Sequence, residues 1–157
     1  MTRRNILKLV ISLIIPLAIG FIAGQFTSDA IPGWYASLNK PSFNPPDWIF
    51  GPVWTVLYVL MGISLFMIWS RPRSQQRTLA VMAFLLQMTL NFAWTFLFFY
   101  YQQMGFALAD ILLLLASIIF MMIRFHRVSK LSAWLNFPYL LWVSFATALN
   151  VAYLVLN

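Results

Sequence analysis

Residues 50–101 read FGPVWTVLYVLMGISLFMIW, then SRPRSQQRT, then LAVMAFLLQMTLNFAWTFLFFYY. Two long apolar runs enclose a short link that carries Arg71, Arg73 and Arg77. A helix needs roughly 20 apolar residues to cross the hydrocarbon core of a bilayer, and each run supplies them. An open sheet at that depth would leave backbone N–H and C=O groups unpaired, so helices are the expected form. Working outward, the same pattern recurs at about Ile6–Phe26, Gly105–Ile123 and Ala133–Leu156. The sequence therefore predicts an all-α integral membrane bundle of five transmembrane helices, in a single domain over residues 1–157.

Composition agrees. Of 157 residues, 62% are hydrophobic and only 8% charged, whereas a soluble domain is about a quarter charged. No cysteine is present, which excludes disulfides, thiolate metal sites and thiol nucleophiles. The formal charge of +7 raises nucleic acid as a partner, and its distribution argues against it. Nine of the ten basic residues fall in three clusters: Arg3, Arg4 and Lys8; Arg71, Arg73 and Arg77; Arg124, Arg127 and Lys130. Membrane-length segments separate these clusters, so they form no continuous basic face.

The same clusters set an expected topology, because short cytoplasmic loops collect Lys and Arg. The N-terminus, second loop and fourth loop hold all three. The first loop has only Lys40 against Asp29 and Asp47, and the third loop, around Gln102 and Gln103, has none. This predicts a cytoplasmic N-terminus and an outside C-terminus in a plasma or inner membrane. A basic start with small residues such as Ala18 and Gly20 also fits a signal peptide. Its apolar run is long for one, and removal would spoil the alternation of loop charge. Gly20 and Gly24 form a small-xxx-small pair, expected to serve packing within the chain rather than a dimer contact. Pro16 and Pro138 each remove a backbone donor and are expected to bend their spans.

The first loop, IPGWYASLNKPSFNPPDWIFGPVW from Ile31, is too aromatic for a plain connector. Its prolines restrict it to extended and turn conformations. Trp34, Tyr35, Phe43 and Trp48 either anchor it at the headgroup level or fold it as a stiff lid over the bundle end; the density of prolines and aromatics favours the lid. Three helix faces then carry aromatic stripes: Trp54, Tyr58, Met61 or Gly62, Leu65 and Trp69; Gln87, Asn91, Trp94 and Phe98; Tyr139, Trp142, Ala146, Asn150 and Tyr153. Any one stripe reads as core packing, with its amides bonding between helices. Three stripes meeting beneath an aromatic loop point to a large, flat, apolar ligand. Asp110 is the one acidic residue within a span, either bonded to a neighbouring helix or facing a wet pocket near Lys40. His126, between Arg124 and Arg127, is expected to be a solvated loop residue, and no metal site is expected.

These residues resemble the TspO/MBR family, the translocator or tryptophan-rich sensory proteins. The pattern runs Trp34-Tyr35, Leu38, Lys40-Pro41, Pro45-Pro46, Trp48, Phe50, Trp54 and Leu57-Tyr58. It continues with Asn91, Trp94, Leu97-Phe98-Phe99, Asp110, Pro138-Tyr139, Trp142, Phe145-Ala146-Thr147 and Leu149-Asn150. The resemblance implies a bundle, often a homodimer, that binds porphyrins such as protoporphyrin IX or haem, and isoquinoline- or benzodiazepine-type compounds, with no obligatory cofactor. Its pocket would lie beneath the first loop and include Tyr35, Trp54, Asn91, Trp94, Trp142, Ala146 and Asn150. Lys40 would be placed to meet a carboxylate. Some bacterial relatives lie in an outer membrane, which stays open for this chain. Eukaryotic members are associated with cholesterol, but Tyr153 here is followed by no basic residue, leaving cholesterol doubtful. Three functions follow: a porphyrin sensor or carrier, a transporter of porphyrins or other lipophilic molecules, or a light- and oxygen-dependent porphyrin-degrading enzyme with Trp54 and Trp142 as its candidate residues. The first is preferred, since nothing in the residue spacing demands catalysis.

Overall fold

A computed structural model describes residues 3–157. Five helical segments are long and apolar enough to cross a membrane: Arg3–Tyr35, Asp47–Trp69, Gln75–Tyr100, Met104–Val128 and Lys130–Leu156. They comprise α1 (Arg3–Ala30), α2 (Phe50–Trp69), α3 (Gln75–Thr95), α4 (Met104–Val128), α5 (Lys130–Trp134) and α6 (Phe137–Leu156).

Several ends differ from the sequence expectation, each for a local reason. The first span does not stop at Phe26. The polar side chains that follow are satisfied by the helix itself, with Thr27 Oγ1 donating to the Ala23 carbonyl at 3.3 Å and Gln25 Nε2 to that of Phe21 at 3.5 Å. Pro32 then sits in a wider π-turn, Ile31–Tyr35, which accommodates a ring that a regular turn would exclude. A second π-turn, Phe96–Tyr100, closes α3. Ser74 starts α3, its Oγ accepting from the Arg77 amide at 3.2 Å. The last turn of α4 contains His126 and Arg127, and the Arg127 cation complements the helix dipole. His126 is therefore helical, not part of a loop. The fifth span is two helices. Asn136 marks the break, its Nδ2 donating to Ser64 Oγ at 2.9 Å and to the Ser132 carbonyl at 2.8 Å. Pro138 falls in the first turn of α6, where a missing N–H is harmless, so it starts that helix instead of bending it.

Pro16 has a different consequence. Lacking an N–H, it leaves the carbonyl of Ser12, four residues back, outside the helix ladder. Gly62 of α2 approaches this carbonyl so closely that a Cβ there would lie 2.8 Å from it. Only hydrogen fits, and a Cα–H···O contact suits the spare acceptor. Gly20 in turn faces the Tyr58 ring with no room for a side chain. Gly20 of α1 therefore packs within the chain, whereas Gly24 has nothing within 4 Å, and α1 and α2 cross closely at Gly62 and Gly20. Lys8 ties the start of α1 to the end of α2 through the Trp69 carbonyl at 3.3 Å.

Alternating helix directions gather the three basic clusters at one end, the basic end; the first loop caps the other, the lid end. Toward the basic end the core is solid. Phe84 stacks on Phe125 with ring centroids 6.4 Å apart, and Ile68, Met88, Ile118 and Met121 are fully buried. Large apolar side chains such as Ile14, Phe21, Leu113 and Val155 face outward, as a lipid environment requires.

Candidate functional site

Toward the lid end the helices enclose a cavity of about 710 Å³ instead of a packed core. Its inner wall is built from α2, α3 and α6. Trp54 stacks on Tyr58, with centroids 5.5 Å apart and planes at 25°. Trp94 stacks on Phe98 with the same spacing and angle, and its Nε1 donates to Asn150 Oδ1 at 3.1 Å. Asn150 Nδ2 is also committed, to the Met104 carbonyl at 3.0 Å. Trp142 meets Phe50 edge-on at 6.1 Å, and Ala146 one turn later leaves room between Trp142 and Asn150. Neither Trp54 nor Trp142 donates a hydrogen bond among the described residues, so both indole N–H groups are free for a ligand.

The roof is the first loop. Tyr35 and Tyr153 hydroxyls are hydrogen-bonded to each other at 2.7 Å, and Asn44 Oδ1, within reach of both, accepts from the one whose proton is left over. This knot joins the end of α1, the middle of the loop and the tip of α6. Asn39 and Asn157 add a second tie: the Asn39 amide donates to Asn157 Oδ1 at 2.8 Å and Asn157 Nδ2 to the Asn39 carbonyl at 3.3 Å. The loop is thus a lid pinned to the bundle. Asp47 and Trp48 border the cavity beneath it, although Trp48 is 73% exposed on its outer side. Phe43, half exposed, rests edge-on against Phe145 at 6.3 Å.

Beneath the cavity a buried polar chain links three helices. Tyr58 Oη donates to Asn91 Oδ1 at 2.8 Å, Asn91 Nδ2 to Tyr139 Oη at 3.0 Å, and Tyr139 Oη to Gln87 Oε1 at 2.9 Å. Every member has a partner, which fixes the tyrosine that carries Trp54.

Of the residues singled out from sequence, Tyr35, Trp48, Trp54, Tyr58, Trp94, Trp142, Ala146 and Asn150 border this cavity. Four do not. Asn91 is 1% exposed and spends its amide on Tyr58 and Tyr139. Trp34 packs edge-on against Phe98 at 5.5 Å, behind the wall. Lys40 stands over the Tyr35 ring at 4.4 Å and pairs with Asp47 at 3.3 Å, on the lid's outer side. Asp110, 9% exposed, faces the helix interior without Lys40, and its Oδ2 has no partner among the described residues.

The α1 wall was missed. Gly20, Ala23, Gly24 and Thr27 border the cavity, and at Gly24 a Cβ would meet nothing within 4 Å. The signal was present as a run of small residues at helical spacing, read only as a packing device. Phe21 and Gln25 on α1 and Gly51 and Thr55 on α2 also border the cavity while remaining exposed. The cavity therefore opens sideways between α1 and α2. At this level Phe26 of α1 packs on Phe96 at 4.4 Å and Tyr100 at 5.5 Å, at the end of the third span.

Comparison with known proteins places this geometry. The model of the TspO/MBR family matches residues 12–156. A tryptophan-rich protein TspO of Archaeoglobus fulgidus is 44% identical over 154 residues, covering 98% of this chain and 99% of that protein. The same-named protein of Chlorobaculum tepidum is 41% identical over 155 residues, 98% of each chain. The translocator protein of Bos taurus is 40% identical over 139 residues, 87% of this chain and 82% of its own.

Proposed function

The chain belongs to the TspO/MBR family and is a multi-pass integral membrane protein, and from that premise we propose that it binds a tetrapyrrole such as protoporphyrin IX or haem in its tryptophan-walled cavity, as a sensor or carrier. The observation that carries this reading is the cavity itself. Its volume of about 710 Å³ lies within the usual range for small-molecule sites, and flat rings form much of its wall. A planar macrocycle stacks on Trp54 and Trp142, whose indole N–H groups remain available for its polar edge. The names of the relatives, translocator and sensory protein, fit a carrier or a sensor.

The test is a tryptophan-fluorescence titration of purified protein with protoporphyrin IX, beside Trp142→Phe. Saturable quenching, weakened by the substitution, supports the site. Linear quenching that is equal in both proteins means partitioning into the micelle and removes the proposal. Transport is a separate property: it requires sealed proteoliposomes to accumulate porphyrin faster than empty ones.

A second reading, porphyrin breakdown under light and oxygen, draws on Trp54 and Trp142 sharing one cavity wall with the Tyr58 ring stacked behind Trp54. It requires a new product whose rate saturates with porphyrin and vanishes when either tryptophan is replaced.

A further inference from the structure

A second hollow, of about 330 Å³, lies at the basic end between the last turns of α4 and the α5–α6 corner. It is far from the lid and shares no wall with the cavity above. Ile119, Ile123 and Arg127 line it from α4 at four-residue spacing, so one helix face supplies an apolar floor about two turns long that ends in a cation. Trp134 and Leu140 form the opposite side, and His126 joins Arg127 at the rim. The groove exists because the chain is extended at Ser129 and breaks again after α5. That corner swings Trp134 outward, 61% exposed, with its ring tilted against Phe137 at 5.7 Å.

The charge at this rim is uncompensated. The chain has three acidic residues, Asp29, Asp47 and Asp110, and none is near this end. The one ion pair among the described residues is Lys40–Asp47, at the lid. Arg124 and Lys130 add further positive charge beside the rim. An occupant must therefore place an anion at Arg127 and His126 and cover a run of aliphatic surface below them. A soluble anion leaves Ile119 and Ile123 bare, and a zwitterionic lipid brings its own cation among the protein's cations.

We infer that this groove binds an anionic phospholipid of the leaflet at the basic end, with its phosphate on Arg127 and His126 and an acyl chain along Ile123 and Ile119. Basic pockets between spans favour such headgroups, and a tryptophan at headgroup level suits the position of Trp134.

Trp134 supplies the readout. Full-length protein is placed in nanodiscs of phosphatidylcholine containing a small, equal fraction of either brominated phosphatidylglycerol or brominated phosphatidylcholine. The Trp134 signal is the difference between this protein and Trp134→Phe. The anionic lipid is expected to quench it with an apparent preference of about fivefold per basic contact. That preference should disappear in the double variant H126Q/R127Q and survive in Arg127→Lys. Equal quenching by the two lipids in the unmodified protein overturns the proposal, since the groove then holds only bulk lipid. Absence of quenching by either overturns it as well, because the groove is then covered by protein. Both results need only Trp134→Phe, a ring-for-ring replacement at a site 61% exposed, and neither bears on the porphyrin titration.

Discussion

At the basic end, Phe84 lies face to face with Phe125 while Met88, Ile118 and Met121 fill the remaining space; at the lid end, Trp54, Trp142 and Phe99 border about 710 Å³ of cavity. The same spans run through both. The difference lies in how their side chains are held. Aliphatic and thioether side chains interdigitate until the voids are gone. The indoles of the other half are braced from behind: Trp54 by Tyr58, and Trp94 by Phe98 and Asn150. A braced ring cannot collapse inward, so the space beside it stays open. The polar chain Tyr58–Asn91–Tyr139–Gln87 marks the boundary between the two regimes.

This contrast can be broken by substitution. The largest effect is expected for Phe84→Ala, which empties a site that cannot relax; about 3 kcal/mol of stability should be lost. Porphyrin affinity should hardly change, and an equal loss of binding would erase the distinction between the halves. Asn91→Ala, at the boundary, leaves two buried tyrosine hydroxyls short of a partner and should cost about 2 kcal/mol in thermal or denaturant unfolding. It should also weaken binding modestly, because Tyr58 then supports Trp54 less firmly. Trp54→Ala should reverse the balance, weakening protoporphyrin IX by up to about tenfold with a smaller stability cost than Asn91→Ala. A cost matching Phe84→Ala would mean that Trp54 is ordinary core. The smallest effect belongs to Lys40→Met. Its half-exposed pair with Asp47 is worth less than about 1 kcal/mol, and unfolding should show little added dependence on salt. A large loss there would show that the ion pair holds the lid, in place of the Tyr35–Asn44–Tyr153 knot.

The five spans were legible because apolar length is a one-dimensional property, and lipid permits little besides helix. The ends were harder. Thr27 and Gln25 look like the start of a loop until their side chains are seen bonded to carbonyls of their own helix. The break at Asn136 depends on Ser64, far away in sequence. At the site, the aromatic stripes identified the faces of α2, α3 and α6, since large rings announce themselves by type. Periodicity alone does not separate an amide on a cavity wall from one locked behind it. Asn150 borders the cavity and Asn91 does not, although each shares a buried helix face with a tryptophan. The α1 wall was silent for the opposite reason, because it contributes by what its glycines lack.

The sideways opening between α1 and α2 changes what a binding constant for this protein measures. That flank lies between two membrane spans, so for a lipophilic solute that enters there the concentration that sets occupancy is its concentration in the bilayer. An affinity quoted against total ligand then contains the partition coefficient and the volume of lipid or detergent in the sample. Doubling the lipid at fixed ligand dilutes the solute where it matters and weakens the apparent binding with no change in the protein. Expressed as a mole fraction in lipid, the same titrations should collapse onto one curve.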